Sequence, residues 1–125
     1  MIFNNIEELK KRLNSSKTPT VLFGAGHIGE LALYSCNQLG IPINFFCDSH
    51  KEKQGTKFLG IETITPSKLK ELGNEVNIFV SHNNAPLSVK ELKGQGYTNV
   101  HYCSDIFEST DFSKATNIQF TPLMK

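Results

Sequence analysis

A short apolar segment that ends in closely spaced glycines constrains the fold of this chain more than any other part of its sequence. Residues 20–23, Thr-Val-Leu-Phe, are followed by Gly24-Ala-Gly-His-Ile-Gly29, and a helix-like apolar pattern begins at Ile28. A short apolar segment between a proline and a glycine predicts a buried strand, and the pattern after it predicts a helix that Gly40 ends. The glycines therefore mark a tight turn between a strand and a helix.

The same alternation of strand and helix continues along the chain. Further strands are predicted at residues 43–47, 76–80 and 99–102, with a short one at 58–64 that has a turn before it. Helices are predicted at residues 65–72 and 86–93. Strands that alternate with helices indicate βαβ units and a mostly parallel sheet. We therefore expect a three-layer α/β fold with about five strands, the first of them near the middle of the sheet.

The two ends of the chain depart from this pattern. Asn4 or Asn5 is predicted to cap an N-terminal helix, which makes residues 1–17 a helical segment of their own. The α/β domain is expected at residues 18–107, and residues 108–125 have scattered apolar side chains without a period. This tail either covers the edge of the sheet or leads to a catalytic domain. No helix or strand pattern is completed after Pro122. This favours the second interpretation, a linker that leads to a catalytic domain.

Composition and charge argue against several classes of protein. The 125 residues are 38% hydrophobic and 20% charged, as in ordinary globular domains. A net charge of +1 does not indicate binding to nucleic acid, and no apolar run approaches the ~20 residues that insertion into a membrane requires. Cys36, Cys47 and Cys103 form no C-x-x-C pair. They favour a reducing compartment, the cytoplasm, over disulfides or a zinc site.

The glycine turn has the spacing G-x-G-x-x-G, which is typical of phosphate-binding loops. Gly24 allows the sharp turn, Gly26 would let a pyrophosphate approach the backbone, and Gly29 would let helix and strand pack closely. The helix that follows directs its N–H groups and the positive end of its dipole at the phosphates. The candidate phosphate contacts are all six residues of the loop: Gly24, Ala25, Gly26, His27, Ile28 and Gly29.

An acid follows the second predicted strand at the distance that a ribose-binding group requires. Asp48 lies nineteen residues beyond Gly29, and an acid there accepts hydrogen bonds from a ribose. Its negative charge would repel a 2′-phosphate and therefore favours an unphosphorylated ribose. One of the basic residues that follow, His50, Lys51 or Lys53, could reach a 2′-phosphate, so a phosphorylated ribose remains an alternative.

The loop after the strand at residues 76–80 is expected at the same edge of the sheet, because ligands of open α/β sheets lie beyond the carboxyl ends of the strands. Ser81, His82 and Asn83 are therefore candidate ligand contacts. The same sequence also suits a turn and a helix cap.

No arrangement in the sequence indicates catalysis by this chain alone. Tyr34, Tyr97 and Tyr102 lack the lysine four residues later that short-chain dehydrogenases use. No nucleophile–base pair or carboxylate cluster is evident, and His101 with Cys103 has no further metal ligand nearby. We therefore assign no catalytic residue and no metal ligand from the sequence.

Residues 18–107 resemble the small Rossmann-like domains that accompany bacterial surface-polysaccharide enzymes. The shared pattern is G-A-G-x-x-G, F-x-D, Q-G and G-I-x-x-I, matched here by Gly24, Gly26, Gly29, Asp48, Gln54-Gly55 and Gly60-Ile61. Such domains hold the nucleotide-sugar in sugar acetyltransferases, and they also accompany nucleotide-sugar dehydratases, epimerases, methyltransferases and glycosyltransferases. The acetyltransferases usually have a second glycine before their loop histidine, whereas His27 follows Gly26 directly, and their hexapeptide repeats are absent here.

The resemblance implies a nucleotide-binding module of a bacterial surface-polysaccharide or sugar-modification enzyme, with NAD or a nucleotide-sugar as ligand. It would not be catalytic alone, and the catalytic domain would lie in the same chain or on a partner protein. Two alternatives remain open. One is a docking or oligomerisation domain without a ligand, able to form a homodimer; the other is a fragment of an NAD-dependent sugar oxidoreductase or epimerase.

Overall fold

A computed structural model describes residues 2–15 and 17–114 of the chain. Its α-helices are α1 (Ile2–Ser15), α2 (His27–Leu39), α3 (Pro66–Glu71), α4 (Ala85–Gly94) and α5 (Ser104–Phe107). Its strands are β1 (Thr20–Phe23), β2 (Phe45–Cys47), β3 (Lys57–Phe58), β4 (Ile61–Ile64), β5 (Asn77–Val80) and β6 (Asn99–Tyr102). A turn of 3-10 helix follows at Phe112–Lys114.

The strands form one sheet in the order β3-β4-β2-β1-β5-β6, with β1 near the middle. All neighbours pair in parallel except β3 and β4, which are antiparallel. Within the described residues the sheet has six strands rather than about five. The predicted three-layer α/β architecture with a mostly parallel sheet is confirmed.

The sheet is buried on both faces, as a parallel sheet requires. Leu22 and Phe46 lie in a core cluster together with residues of α1, α2 and α5. Val21 and Ile78 lie in a second cluster together with residues of α3 and α4. Because successive side chains of a strand point to opposite faces, the short apolar strand β1 contributes to both cores. This accounts for its continuous apolar sequence.

The segment at residues 58–64 differs from its prediction. It is not one strand with a turn before it but a hairpin, in which β3 and β4 are joined by Leu59 and Gly60. Both residues have positive φ, +54° and +83°, the signature of a type I′ turn, whose twist matches that of the paired strands. The turn therefore lies inside the predicted strand and adds the sixth strand.

The N-terminal helix also begins earlier than predicted. α1 starts at Ile2, so Asn4 and Asn5 lie within it and do not cap it. Asparagine lowers helix propensity only moderately, and the apolar side chains of Ile6 and Leu13 are buried in the core. Packing of that apolar face stabilises the helix, so no cap at Asn4 or Asn5 is required.

Part of the C-terminal segment lies against α2. The backbone carbonyl of Asp111 accepts hydrogen bonds from Tyr34 and Gln38, at 3.3 and 2.8 Å. The ring of Phe112 stacks on that of Tyr34 with centroids 5.7 Å apart. Residues 115–125 lie outside the described part, so the role of the tail and the domain boundaries stay predictions. In the described residues, no helix is both long and apolar enough to span a bilayer.

Candidate functional site

The glycine loop leaves the carboxyl end of β1 in a conformation that the fold itself requires. Gly24 has φ +128°, and a Cβ there would lie 2.6 Å from the carbonyl oxygen of Ser81. Its N–H donates to the carbonyl of Cys47 at 2.7 Å. A Cβ on Gly29 would collide with the carbonyl of Gly24 and lie 3.1 Å from the ring of Phe46. Gly24 and Gly29 thus hold strand and helix in close contact.

Gly26 is different, because nothing in the described fold requires a glycine there. Its φ of −140° and ψ of −154° are open to any residue, and it is the N-cap of α2. A Cβ on Gly26 would lie 3.7 Å from Lys53 Nζ, its nearest neighbour, at an ordinary contact distance. No side chain caps the helix, so its first-turn N–H groups lack the partner that a capping side chain supplies. The backbone at Gly26 is thereby open to a ligand.

Asp48 connects the glycine loop to the segment after β2. It is buried, and its Oδ2 accepts a hydrogen bond from the N–H of Ala25 at 2.9 Å. Its Oδ1 accepts from both the N–H and the ring Nδ1 of His50, at 2.9 and 2.7 Å. Lys53 Nζ donates to the carbonyl of Ala25 at 2.9 Å and lies 3.9 Å from Oδ2. A lysine therefore lies directly over the loop.

These contacts keep the Asp48 carboxyl ionised. Burial raises its pKa, but the hydrogen bonds from Ala25 and His50 and the charge of Lys53 outweigh that effect, and the net pKa is lowered. Since a carboxylate carries about four acceptor positions, the three hydrogen bonds leave about one free. A ribose hydroxyl would take that position or replace the imidazole of His50.

The loop after β5 makes hydrogen bonds within the protein. The hydroxyl of Ser81 is buried and donates to the carbonyl of Gly24 at 2.9 Å. His82 Nδ1 accepts from the N–H of Asn84 at 3.3 Å, so the ring proton is on Nε2, which donates to Ser88 at 2.8 Å. Burial lowers the pKa of His82, and the charge of Asp48 opposes this only in part. Ser81 thus supports the glycine loop, and His82 supports the start of α4.

A crevice of about 290 Å³ lies between the loops that follow β1, β2 and β5. It is at the point where the strand order reverses, between β1 and β5, and we refer to it as the switch-point crevice. Gly24, Asp48, His82 and Asn83 all line it. Cys47 lines it too, but burial raises the pKa of its thiol to about 12, with a contribution from Asp48, so it is not a nucleophile at neutral pH.

The remaining loop residues lie on the other side of the turn. Ala25, Gly26 and His27 line a second cavity, next to the β3–β4 hairpin, while Ile28 is partly buried in the first turn of α2. Sequence reasoning did not single out Thr63 or Glu30, which line the same cavity. Thr63 belongs to a hairpin that the apolar pattern did not reveal, so no local signal marked it.

Comparison with known proteins supports the fold alone. No family model and no curated protein matches the chain. Among solved structures, RSP, a Rex-family repressor, has a TM-score of 0.51 at 18% identity, over 88% of this chain and 65% of that one. RSP in complex with beta-NADH gives 0.50 at 18% identity, over 97% and 71%. The fold is Rossmann-like.

A weaker similarity is to UDP-D-quinovosamine 4-dehydrogenase from Vibrio fischeri. Its TM-score is 0.48 at 19% identity, over 75% of this chain and 86% of that chain. A similarity of this size says nothing about the site. In the described residues, the candidate site is formed by the glycine loop, the loop after β2 and the loop after β5.

Proposed function

We propose that this chain is a nucleotide-binding module whose ligand is NAD or a nucleotide-sugar. The observation that carries the proposal is Gly26, a glycine that the fold does not need, at the uncapped N-terminus of a thirteen-residue helix. Phosphates are stabilised there by backbone N–H groups and the helix dipole. Lys53 adds a positive charge over the same loop.

The nucleoside part of the ligand occupies the switch-point crevice. Its ribose meets the carboxylate of Asp48, and its base lies between His50 and Asn83, which line the crevice. The side chain of His50 is 66% exposed, so its imidazole can move aside for a ribose hydroxyl at little cost. The complex of RSP with beta-NADH makes NAD the first dinucleotide to test.

We further propose that the module belongs to a bacterial, cytoplasmic enzyme of surface-polysaccharide synthesis, on the pattern shared by Asp48, Gln54-Gly55 and Gly60-Ile61. Catalysis would take place on another domain or on a partner protein. In this arrangement the chain holds the nucleotide while the other part acts on the sugar. If the chain is instead a fragment of an oxidoreductase, NADH must bind to it.

A docking or dimerisation domain without a ligand is the second candidate. It is favoured by the internal hydrogen bonds of Ser81 and His82, which occupy groups that a ligand would need. Leu87 on α4 and Tyr102 at the end of β6 are exposed apolar side chains, 49% and 37% exposed. This function requires self-association or binding to a catalytic domain, and no binding of nucleotides.

Calorimetric titration and thermal unfolding with NAD, NADH, NADP, UDP-N-acetylglucosamine and GDP-mannose test the proposal. A ligand at 100 times its Kd adds about 2.7 kcal/mol to the free energy of unfolding. We expect one of these ligands to bind, and Gly26→Val to abolish the binding because its side chain occupies the place of a phosphate.

The matched control is Gly94→Val at the end of α4, where, among the described residues, a Cβ would have no neighbour within 4 Å beyond the adjacent residues and the backbone of its own helix. Asp48→Ala is a poorer probe, because losing the bond to Ala25 would loosen the loop itself. No binding by the wild type would favour the docking domain. Binding that survives Gly26→Val would place the ligand elsewhere.

A further inference from the structure

A second cavity lies on the opposite side of the glycine loop from the switch-point crevice. Its volume is about 350 Å³, and it lies between the start of α2 and the β3–β4 hairpin, so we refer to it as the hairpin cleft. The two cavities share no lining residue. The volume of the cleft is within the range of pockets that hold small organic ligands.

Two buried polar atoms that line the cleft lack a hydrogen-bond partner among the described residues. Thr63 is 0% exposed, and its Oγ1 is unpartnered. The backbone of Thr63 is satisfied, since its N–H donates to Thr56 and its carbonyl accepts from Gly55. Nε2 of His27 is also buried and unpartnered. Buried polar atoms are nearly always paired, so these two atoms can each take a hydrogen bond from a group that enters the cleft.

The charges around the cleft favour an anion. Lys53 and Lys57 line it, with Glu30 as the opposing charge, and the positive end of the α2 dipole adds to the lysines. Lys53 uses one N–H on the carbonyl of Ala25 and has donors left for a ligand. Glu30 offers an acceptor, which inorganic phosphate does not need but a hydroxyl group does.

One wall of the cleft is apolar. The ring of Phe58 lines it and is held by an edge-to-face contact with Phe46, at a centroid distance of 4.9 Å. An aromatic wall beside hydroxyl, carboxylate and ammonium groups is suited to a ring that carries both C–H faces and hydroxyl groups. The cleft thus combines the chemistry for an anion with that for a sugar.

We propose that the hairpin cleft binds a phosphorylated sugar. The phosphate is held by Lys53, Lys57 and the start of α2, and the sugar hydroxyls pair with Thr63 and Glu30. The cleft shares the start of α2 and Lys53 with the phosphate end of the proposed nucleotide site, whereas Thr63, Glu30 and Lys57 belong to the cleft alone. The proposal does not require that a nucleotide binds. The phosphate can belong to a free sugar phosphate or to a larger ligand that also reaches the crevice.

The test is a titration of the full chain with glucose 1-phosphate, ribose 5-phosphate, inorganic phosphate and glucose. Calorimetry measures the affinity, and amide NMR shifts locate the binding. We expect the sugar phosphates to bind and to shift the amides of His27 and Thr63. Thr63→Val removes the hydroxyl but keeps the shape. It should weaken binding by up to about tenfold, as expected for one lost hydrogen bond to a neutral hydroxyl group, without lowering thermal stability.

Lys57→Gln should weaken binding as well, with Lys51→Gln as the matched control, since Lys51 is exposed and does not line the cleft. The proposal is overturned if neither sugar phosphate binds, or if Thr63→Val binds as tightly as the wild type. If inorganic phosphate binds as tightly as the sugar phosphates, the proposed contacts with the sugar hydroxyls are overturned.

The result for this site can be separated from that for the nucleotide site. NAD binding that shifts Asp48 and Asn83, together with no response to sugar phosphates, would overturn this inference alone. Sugar phosphate binding without any nucleotide binding would support the cleft and contradict the proposed function.

Discussion

At the scale of single residues, the glycines of the turn have different roles although they share one motif. Gly24 is fixed by its positive φ and by the carbonyl of Ser81, whereas Gly26 has ordinary dihedral angles and open space. A sequence motif cannot separate these roles, because the carbonyl that excludes a side chain at Gly24 comes from a residue 57 positions later. The fold therefore requires a glycine at position 24 but not at position 26, which is the position we propose for phosphate binding.

This difference predicts that two alanine substitutions will change the stability by different amounts. We expect Gly24→Ala to lower the free energy of unfolding by about 3 kcal/mol, from backbone strain and the clash with Ser81. Gly26→Ala should change it by about 1 kcal/mol or less. Urea unfolding of both variants at neutral pH is the measurement. Similar losses in the two variants would contradict the distinction.

The candidate site was predictable from the sequence only in its outline. Asp48 was expected at the loop from its distance to Gly29, and it does lie there. Its hydrogen bonds to His50, and the position of Lys53 over the loop, were not predictable because the polar connection after β2 has no periodic pattern. Its conformation is set by tertiary contacts, such as the bond from Gln54 to the carbonyl of Asp48.

At the scale of elements, periodic patterns within one segment predicted the helices and strands well. The pairing of two short strands in a hairpin was not predicted. β1 and β6 have the predicted bounds, and α2 begins one residue earlier than expected. The β3–β4 hairpin was missed because its turn, Leu59-Gly60, lacks the Asn-Gly or Asp-Gly sequence that usually marks a type I′ turn. Leu59 has a positive φ, which is unfavourable for a leucine.

The hairpin turn supplies a prediction at this scale. Leu59 has φ +54° and is 47% exposed, so its side chain gains little from burial while its backbone is strained. Leu59→Asn should raise the free energy of unfolding by about 0.5–1 kcal/mol, since asparagine tolerates the left-handed region better.

The matched control is Leu87→Asn, because Leu87 is as exposed but lies within α4. We expect Leu87→Asn not to raise the free energy of unfolding. Chemical unfolding of both variants decides the matter, and a loss of stability at Leu59 would contradict the assignment of strain.

At the scale of the whole molecule, the half-buried His101 links stability to pH. Burial, together with the charges of Arg12 and Lys93, lowers the pKa of His101 from 6.5 to about 4. Its Nε2 lies 3.3 Å from Arg12 Nη2, which can donate to the ring only while that nitrogen is unprotonated. The ring also packs against Phe79, with centroids 5.1 Å apart.

The unfolded chain therefore binds a proton at His101 more readily than the folded chain does. The contribution to stability is complete above pH 6.5 and is lost as the pH falls towards 4, by about 3 kcal/mol in total. The lowered pKa of His82 acts in the same direction. The pKa of Asp48 is also lowered from its usual value, so its contribution is lost in the same direction but mainly at lower pH.

Urea unfolding at pH 7.5 and pH 4.5 measures this dependence. The wild type should lose stability at the lower pH, and His101→Gln should lose less because glutamine does not titrate. Equal losses in the two proteins would contradict the role of His101.

The central position of β1 has a consequence for how the protein is made. β1 pairs with β2 soon after it, but its other edge pairs with β5, so that Thr20 lies opposite Asn77. During synthesis that edge stays open until the chain has grown past residue 80. Long-range parallel pairing is slow, and open strand edges can pair with other chains. The nascent protein is thus most exposed to mispairing in that interval, which ends when β5 pairs with β1.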